Sequence, residues 1–351
     1  MPIPKGSIIL LLRLQSKFKI HTTAVCGLGQ FKFWGDLFIL AMCVIIPSDL
    51  LIISEVFMTK RLRVVGMPFA HWSDSFNRGV EHAPQKIKEM LDMLLAHNVE
   101  YLSRAGDSVR LVWEHEPVAE SQGTLQKWLK EYARQSWQGQ EIPLFIGGDH
   151  GISFFTIEPF ARLVGRDNLA VISLDAHPDA KLTSEKLHAR WLACLIRGGI
   201  IDPKKVLLMG CRNVEPEEAV FIEKNLAKKP YDHYFPMKEL GEKFAISPFY
   251  IRGELDGIMA GWRGKYLYVT IDSDVADPSE MPGTSYKAPG GLTFRELIGL
   301  VSMISEIAKK HEIKVVGVDL TEVNPVEEWK ITGPFVRDLI TELAVNFGKE
   351  V

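Results

Sequence analysis

The stretch whose reading decides the fold is VISLDAHPD, residues 171–179. Its first half is a short apolar run with β-branched residues, of strand length and strand composition. Its second half carries Asp175, His177 and Asp179 at alternating positions. Two other segments follow the same pattern: LFIGGDH (Leu144–His150) ends on His150, and YVTIDSDVADP (Tyr268–Pro278) carries Asp272 and Asp274. Strands that read as unbroken apolar runs are covered on both faces, as in parallel sheets flanked by helices. In open sheets of that kind, ligands bind beyond the carboxyl ends of the strands. Four carboxylates and two imidazoles gathered at one such rim would hold two divalent cations. Carboxylates with a few imidazoles suit Mn²⁺-type ions better than thiolate-loving ones. The spacings D-x-H-x-D and D-x-D send alternate side chains to one side wherever the chain stays extended. Each motif alone has a plainer explanation, Asp149 and His150 as a helix cap or DSDVADP as an Asx turn. The three together do not, because burying that many acids without cations carries a heavy penalty.

Outward from these segments, strand and helix patterns alternate. Strands are expected at 61–67, 109–114, 144–147, 170–175, 205–210, 266–272 and 315–320. Helices are expected at 83–98, 124–137, 152–164, 186–197, 215–226, 293–311 and 334–347. Repeated βα units imply a three-layer αβα architecture with a mostly parallel sheet. No internal repeat, low-complexity tract or linker interrupts residues 58–351, so one catalytic domain is the simplest organisation for them.

Whole-chain chemistry narrows the function. A formal net charge of −3 offers no basic excess for nucleic acid or an anionic membrane, so neither is expected as a partner. The four cysteines (Cys26, Cys43, Cys194, Cys211) contain no CxxC pair. That argues against a disulfide framework or structural zinc and fits a reducing, cytoplasmic compartment. Residues 1–57 are poor in acids and contain LFILAMCVII (Leu37–Ile46). A membrane span needs about 20 apolar residues with few charges, and Asp36, Asp49 and Glu55 interrupt this one. The segment reads as an extension upstream of a natural start at Met58 and outside the fold. A membrane or targeting element and an accessory segment are the alternatives.

Together, GGDH, DAHPD, DSDVADPSEMPGTSYKAPGGLT and the later VDLTEVNP resemble the ureohydrolases: arginase, agmatinase, formimidoylglutamase and their relatives. The motifs stand in that family's order and span most of the chain after Met58. The resemblance implies a sheet of about eight strands, two Mn²⁺ per subunit and assembly as a homo-oligomer, a trimer or hexamer. Carried over by position, His150, Asp175, Asp179 and Asp272 would hold one ion, and Asp175, His177, Asp272 and Asp274 the other. Asp179 would also orient the nucleophilic hydroxide, His188 would shuttle protons, and Glu322, in the D-x-x-E that starts at Asp319, would bind the guanidinium. A carboxylate suits that last role because it matches the planar N–H fork in pairs.

The implied reaction is hydrolysis of a guanidino group to urea and an amine, and the departures from the family's pattern bear on the substrate. The usual GGDHS is GGDHG here (Gly151), and PGTGTP is PGTSYKAP (Ser285, Tyr286, Lys287). The interval 180–187, AKLTSEKL, lacks the asparagines with which arginases grip an α-carboxylate. Agmatine or a guanidino-polyamine is therefore expected first, with Glu215 as a receiver for its amine. Glu215, Glu217 and Glu218 also read as a solvated helix start. Lys181 or Lys287 gripping a carboxylate would favour an acid such as formimidoylglutamate or guanidinobutyrate, and arginase is the other alternative within the family. A non-catalytic metal-binding homologue is the alternative of another class. A deacetylase of the same general fold would use a single zinc and a different arrangement of aspartate and histidine.

Overall fold

The computed structural model describes residues 59–70, 78–95, 101–102, 108–114, 121–226, 233–246 and 248–350. The expectation for residues 1–57 lies outside them. Residues 57–351 cluster as one compact unit.

Among the described residues, ten strands form one sheet. They are β1 (Thr59–Met67), β2 (Tyr101–Leu102), β3 (Ser108–Trp113), β4 (Pro143–Gly147), β5 (Leu169–Leu174), β6 (Val206–Met209), β7 (Tyr234–Phe235), β8 (Tyr266–Asp272), β9 (Lys314–Thr321) and β10 (Lys349–Glu350). The order is β2-β3-β1-β4-β9-β8-β5-β6-β7, with β10 on β1. From β3 to β7 every pairing is parallel. Only β2 and β10 run antiparallel. The mostly parallel sheet of about eight strands is thus present, with a short antiparallel strand added on β3 and another on β1.

The helices are α1 (Ala83–Leu95), α2 (Gln122–Gly139), α3 (Ile152–Val164), α4 (Trp191–Arg197), α5 (Pro216–Asn225), α6 (Met237–Ile246), α7 (Pro248–Ala260), α8 (Phe294–Lys310) and α9 (Thr332–Phe347). Strand alternation distributes them over two faces. Leu144 and Ile146 of β4, with Val269 and Ile271 of β8, join the core made by α1, α7, α8 and α9. Phe145 and Tyr268, from the same strands, point into the opposite core with α2, α3 and α4. Every residue of β4, β5 and β6 is buried, so continuous apolar runs were required there.

Several elements differ from expectation. Helix α4 begins at Trp191, not Lys186, because residues 181–190 form a loop that Lys181 N and Ala189 O close on itself (3.0 Å). Helices α6 and α7 and strands β2, β7 and β10 were not anticipated. The three strands are two residues long, too short to show any periodicity.

Strands β4, β9, β8 and β5 are neighbours in the sheet, yet the chain enters them as β4, β5, β8, β9. The connection from β4 to β5 leaves a gap that β8 and β9 fill. Crevices of this sort lie at the carboxyl ends of the strands, and all the expected ligands lie there.

Candidate metal centre

Each ligand is delivered by a local device. After β4, Gly148 runs against the backbone of Phe69. A Cβ at Gly148 would lie 2.1 Å from Phe69 O, so only glycine fits. Asp149 N then donates to Phe69 O (3.0 Å), and this turn presents His150. After β5, Asp175 Oδ1 accepts from His177 N (2.6 Å), curling the chain. After β8, Asp272 Oδ1 accepts from Asp274 N (2.8 Å) and starts a single 3-10 turn. Asp175–His177 and Asp272–Asp274 are therefore brought together by turns closed by their own carboxylates. Strand alternation, the expected cause, ends at Leu174 and Asp272.

The six residues converge. His150 Nδ1 lies 3.0 Å from Asp175 Oδ2, 2.9 Å from Asp179 Oδ2 and 3.1 Å from Asp272 Oδ2. His177 Nδ1 lies 2.9 Å from Asp274 Oδ2 and 3.6 Å from Asp175 Oδ1. Among the described residues, two sets of donors are close enough to hold an ion: His150, Asp175 and Asp179, and Asp175, His177 and Asp274. They share Asp175. Asp272 belongs to neither tight set and joins through its contact with His150.

The donor chemistry fits cations. His150 Nε2 lies 2.9 Å from Thr270 Oγ1, which leaves Nδ1 to face three carboxylates. One ring nitrogen cannot bond three oxygens, and neither His150 Nδ1 nor Asp175 Oδ2 has a well-aligned hydrogen-bond partner, although both are buried. A cation between them would satisfy all four atoms at once. The electrostatics agree. Burial pushes the Asp272 carboxyl well up, with Asp274 and Asp175 adding to it. Burial, then Asp175, raises Asp179 to about 6. Burial opposes a charged imidazole, but Asp274 and Asp175 outweigh it and lift His177 to about 12. Negative charge is over-concentrated here in the absence of positive ions.

A polar network behind His150 fixes its ring. Thr270 Oγ1 lies 3.2 Å from Ser153 Oγ. Ser153, Thr156 and Tyr268 all donate to Asp319 Oδ2 at 3.0–3.1 Å. Tyr268 reaches that position at a register shift between β8 and β9, opposite Gly317, where any Cβ would lie 2.6 Å from its ring. Asn213 lies 3.1 Å from His177 Nε2, and Trp191 Nε1 donates to Asp179 Oδ2 (2.9 Å). Sequence reading missed Thr270, Ser153, Tyr268, Asn213 and Trp191. Only Asp319, inside D-x-x-E, carried any signal.

Glu322 and Asp179 are two of the four described non-glycine residues with left-handed backbone, at φ 61° and 50°. Such strain, of order 1–3 kcal/mol each, persists where surrounding structure enforces it and clusters at functional sites. At Glu322 the kink ends β9 and turns the carboxylate inward. Its N–H donates to Gly148 O (2.9 Å), and its Oε1 accepts from His150 N (2.8 Å). His188 is buried on the loop before α4. A cavity of about 370 Å³ opens over these residues, lined by His150, His177, Asp179, His188, Asp272, Asp274 and Glu322. Its lining also includes Lys181, Lys186, Glu215, Glu218 and Tyr286.

The residues weighed for substrate tails are placed as follows. Glu215 pairs with Lys181 (2.6 Å), and Lys287 pairs with Glu327 (2.9 Å) away from the cavity lining. Glu218 is no solvated helix start. It is buried, accepting from Ala180 N (3.1 Å) and Glu215 N (3.0 Å), and so ties α5 to the turn that bears Asp179.

Comparison with known proteins gives one consistent result. The arginase family model matches residues 60–345. The agmatinase of Bacillus cereus is 29% identical over 298 residues, covering 81% of this chain and 92% of the relative. An arginase of Schizosaccharomyces pombe is 25% identical over 322 residues, covering 83% and 94%. The solved formimidoylglutamase of Bacillus subtilis superposes with a TM-score of 0.67 at 23% identity, covering 81% of this chain and 86% of that one. The solved arginase of Bacillus subtilis superposes at 0.64 with 22% identity, covering 83% and 100%. At such identities the structural matches establish the fold.

Proposed function

The chain belongs to the arginase family, and from that premise we propose that residues 58–351 form a binuclear-manganese hydrolase that cleaves a guanidino group to urea and an amine. The observation that carries the reading is the pair of cation-holding sets that share Asp175, with Glu322 beside them in one cavity. His150, Asp175, Asp179 and Asp272 would hold one Mn²⁺, and Asp175, His177, Asp272 and Asp274 the other. When bound, the two ions would acidify a water to a nucleophile near neutral pH and stabilise developing negative charge.

The protein's own groups do the rest. Glu322, anchored by the His150 N–H, presents a fixed carboxylate to the planar fork of the guanidinium. Asp179, steadied by Trp191, takes a proton from the attacking water and returns it to the departing amine. His188 exchanges protons between the cavity and bulk water, as an imidazole can near neutrality.

For the substrate we put agmatine or a related guanidino-polyamine first. Residues 180–187 supply no asparagine to bind an α-carboxylate, and Glu215 and Glu218 line the cavity. An amine tail would replace Lys181 at Glu215. One observation favours a second reading: Lys181 and Lys186 also line the cavity. A carboxylate tail, as in arginine or guanidinobutyrate, would pair with them. The reading also carries a homo-oligomer and a cytoplasmic location. No helix among the described residues is long and apolar enough to cross a membrane.

The deciding experiment measures urea release with Mn²⁺ from agmatine, arginine, guanidinobutyrate and aminopropylagmatine. Activity is expected with at least one, highest with an amine tail, and lost in Asp272→Ala and His177→Ala. Normal urea release by either variant refutes the mechanism. Formamide or acetate as product redirects the assignment.

A further inference from the structure

The cavity wall contains an aromatic ring that the reaction scheme has not used. Tyr286 lies on the loop that follows β8, and that loop is clamped on both sides. Upstream, Thr284 pairs with Val323, Asn324 N donates to Gly283 O (2.7 Å), and Asn324 Nδ2 donates to Ser285 Oγ (2.8 Å). Downstream, the Arg212 guanidinium donates to Ala288 O from Nε (3.0 Å) and Nη2 (2.6 Å). The clamps fix the intervening residues, and the two side chains there diverge. Lys287 turns out to Glu327. Tyr286 turns in, its ring centroid 6.1 Å from that of His177 and 6.0 Å from that of His188. It is half-buried and lines the same cavity as Glu322 and Asp179.

The acids of the cavity attract any cation, and beyond Glu322, which matches the planar N–H fork, they do little to separate a guanidinium from an ammonium. An aromatic face adds to that choice. A guanidinium is flat and weakly hydrated, so it can lie on a ring without losing its in-plane hydrogen bonds, whereas an ammonium is compact and strongly hydrated. We propose that Tyr286 is a substrate-contacting specificity residue whose ring face packs on the guanidinium plane while Glu322 takes the N–H fork at its edge. The inference rests on the guanidino-hydrolase reading and adds to it the means of choosing a planar cation. Burial, reinforced by Glu322, Asp149 and Asp179, pushes the Tyr286 phenol up to about 12, so the ring stays neutral while it faces the acids.

The test compares Tyr286→Phe, which keeps the ring, with Tyr286→Leu, which keeps apolar bulk without it. Steady-state kinetics are run on the best substrate of the urea panel, with calorimetric titration of agmatine and arginine into Mn²⁺-loaded protein in parallel. Tyr286→Phe is expected to stay within about twofold of wild type in KM and affinity, and Tyr286→Leu to lose about tenfold in both with a smaller change in kcat. A melting temperature close to wild type for Tyr286→Leu keeps the comparison free of a folding defect. Tyr286→Leu matching wild type overturns the proposal. Tyr286→Phe failing as badly as Tyr286→Leu also overturns it, since the contact would then be the hydroxyl. If wild type binds a guanidine without releasing urea, the hydrolase reading falls, yet the affinities of the two variants still decide the ring contact. If wild type binds none, both fall.

Discussion

Arg212 is where removing one side chain should disturb both the metal turn and the substrate loop. Its guanidinium, half-buried, pairs with no carboxylate in any ion pair of the described residues and instead donates to backbone carbonyls of three segments. The short contacts are Asp274 O (2.6 Å) and Ala288 O (2.6 and 3.0 Å). Those to Gly210, Val275, Ala276 and Pro289 run from 3.3 to 3.4 Å and count for little. A charge-assisted hydrogen bond contributes roughly 1.5–3 kcal/mol net. Three short bonds at the low end give about 4–5 kcal/mol. Returning the arginine to water recovers part of that, because burial disfavours its charge and depresses its pKa. Arg212→Ala should therefore destabilise the fold by about 3 kcal/mol, a large share of the roughly 5–15 kcal/mol available to a domain. Arg212→Lys, with one point charge in place of a fork, should recover less than half of it.

The assay is urea-induced unfolding of metal-free protein followed by tryptophan fluorescence, with Mn²⁺ titrations on the folded variants. Because Asp274 and the Tyr286 loop hang on the same side chain, Arg212→Lys should weaken Mn²⁺ binding and raise KM together. A destabilisation of Arg212→Ala under about 0.5 kcal/mol, the usual range for surface changes, would refute the assignment of these bonds. So would Arg212→Lys shifting KM with no change in Mn²⁺ affinity.

Gly151→Ser, which restores the family's usual residue, should cost about 1–3 kcal/mol of stability and lower kcat, because a Cβ there meets Asp149 Oδ1 at 2.8 Å and His188 N at 3.2 Å; thermal melts and urea release check it. Thr270→Val removes the hydroxyl that orients His150 and should weaken Mn²⁺ binding about 10–100-fold with little change in fold, as read by calorimetry. Dialysis against chelator should lower the melting temperature, and Mn²⁺ at about 1,000 times its Kd should restore roughly 4 kcal/mol; equal melts with and without metal would count against the site. Asp277 is held down at about 2, first by the Ser279 hydroxyl and further by the Ser279, Gly290 and Gly291 N–H groups. A depressed carboxylate stabilises fully above its unfolded value of 3.8 and loses that contribution as pH falls towards about 2. The stability gap between wild type and Asp277→Asn, about 1 kcal/mol after solvent screening, should be flat well above 3.8 and close as pH falls from there towards about 2.

How far the sequence could be read depended on whether a feature was local. The apolar runs of β4, β5 and β8 announced strands buried on both faces, and their polar tails announced the rim. Residues that act across the sheet left no such trace. Thr270 and Tyr268 read as two ordinary β-formers within YLYVTID. Their roles follow from Ser153 and Asp319, 117 and 51 residues away respectively. Glu218 looked like one more helix-start acid, because nothing in PEEAV says that Ala180 N donates to it. Residues 186–190 were expected to open the helix, but they belong to the loop that leaves the Asp179 turn, at φ 50°, and lines the cavity before α4 begins.

That turn also crowds position 151. The Asp179 kink brings the 181–190 loop back over the start of α3, so that Leu187 and His188 lie against Gly151. A residue with a Cβ would press on the segment that carries His188. The loop that carries His188 thus occupies the space that a side chain at position 151 would need. Gly151→Ser should then be rescued by lengthening the loop at Leu182 and Thr183, which are exposed, and not by further substitutions within α3. Restored stability and urea release in the combined variant would support the coupling. A lengthened loop that leaves Gly151→Ser as impaired as before would show that the two features are independent.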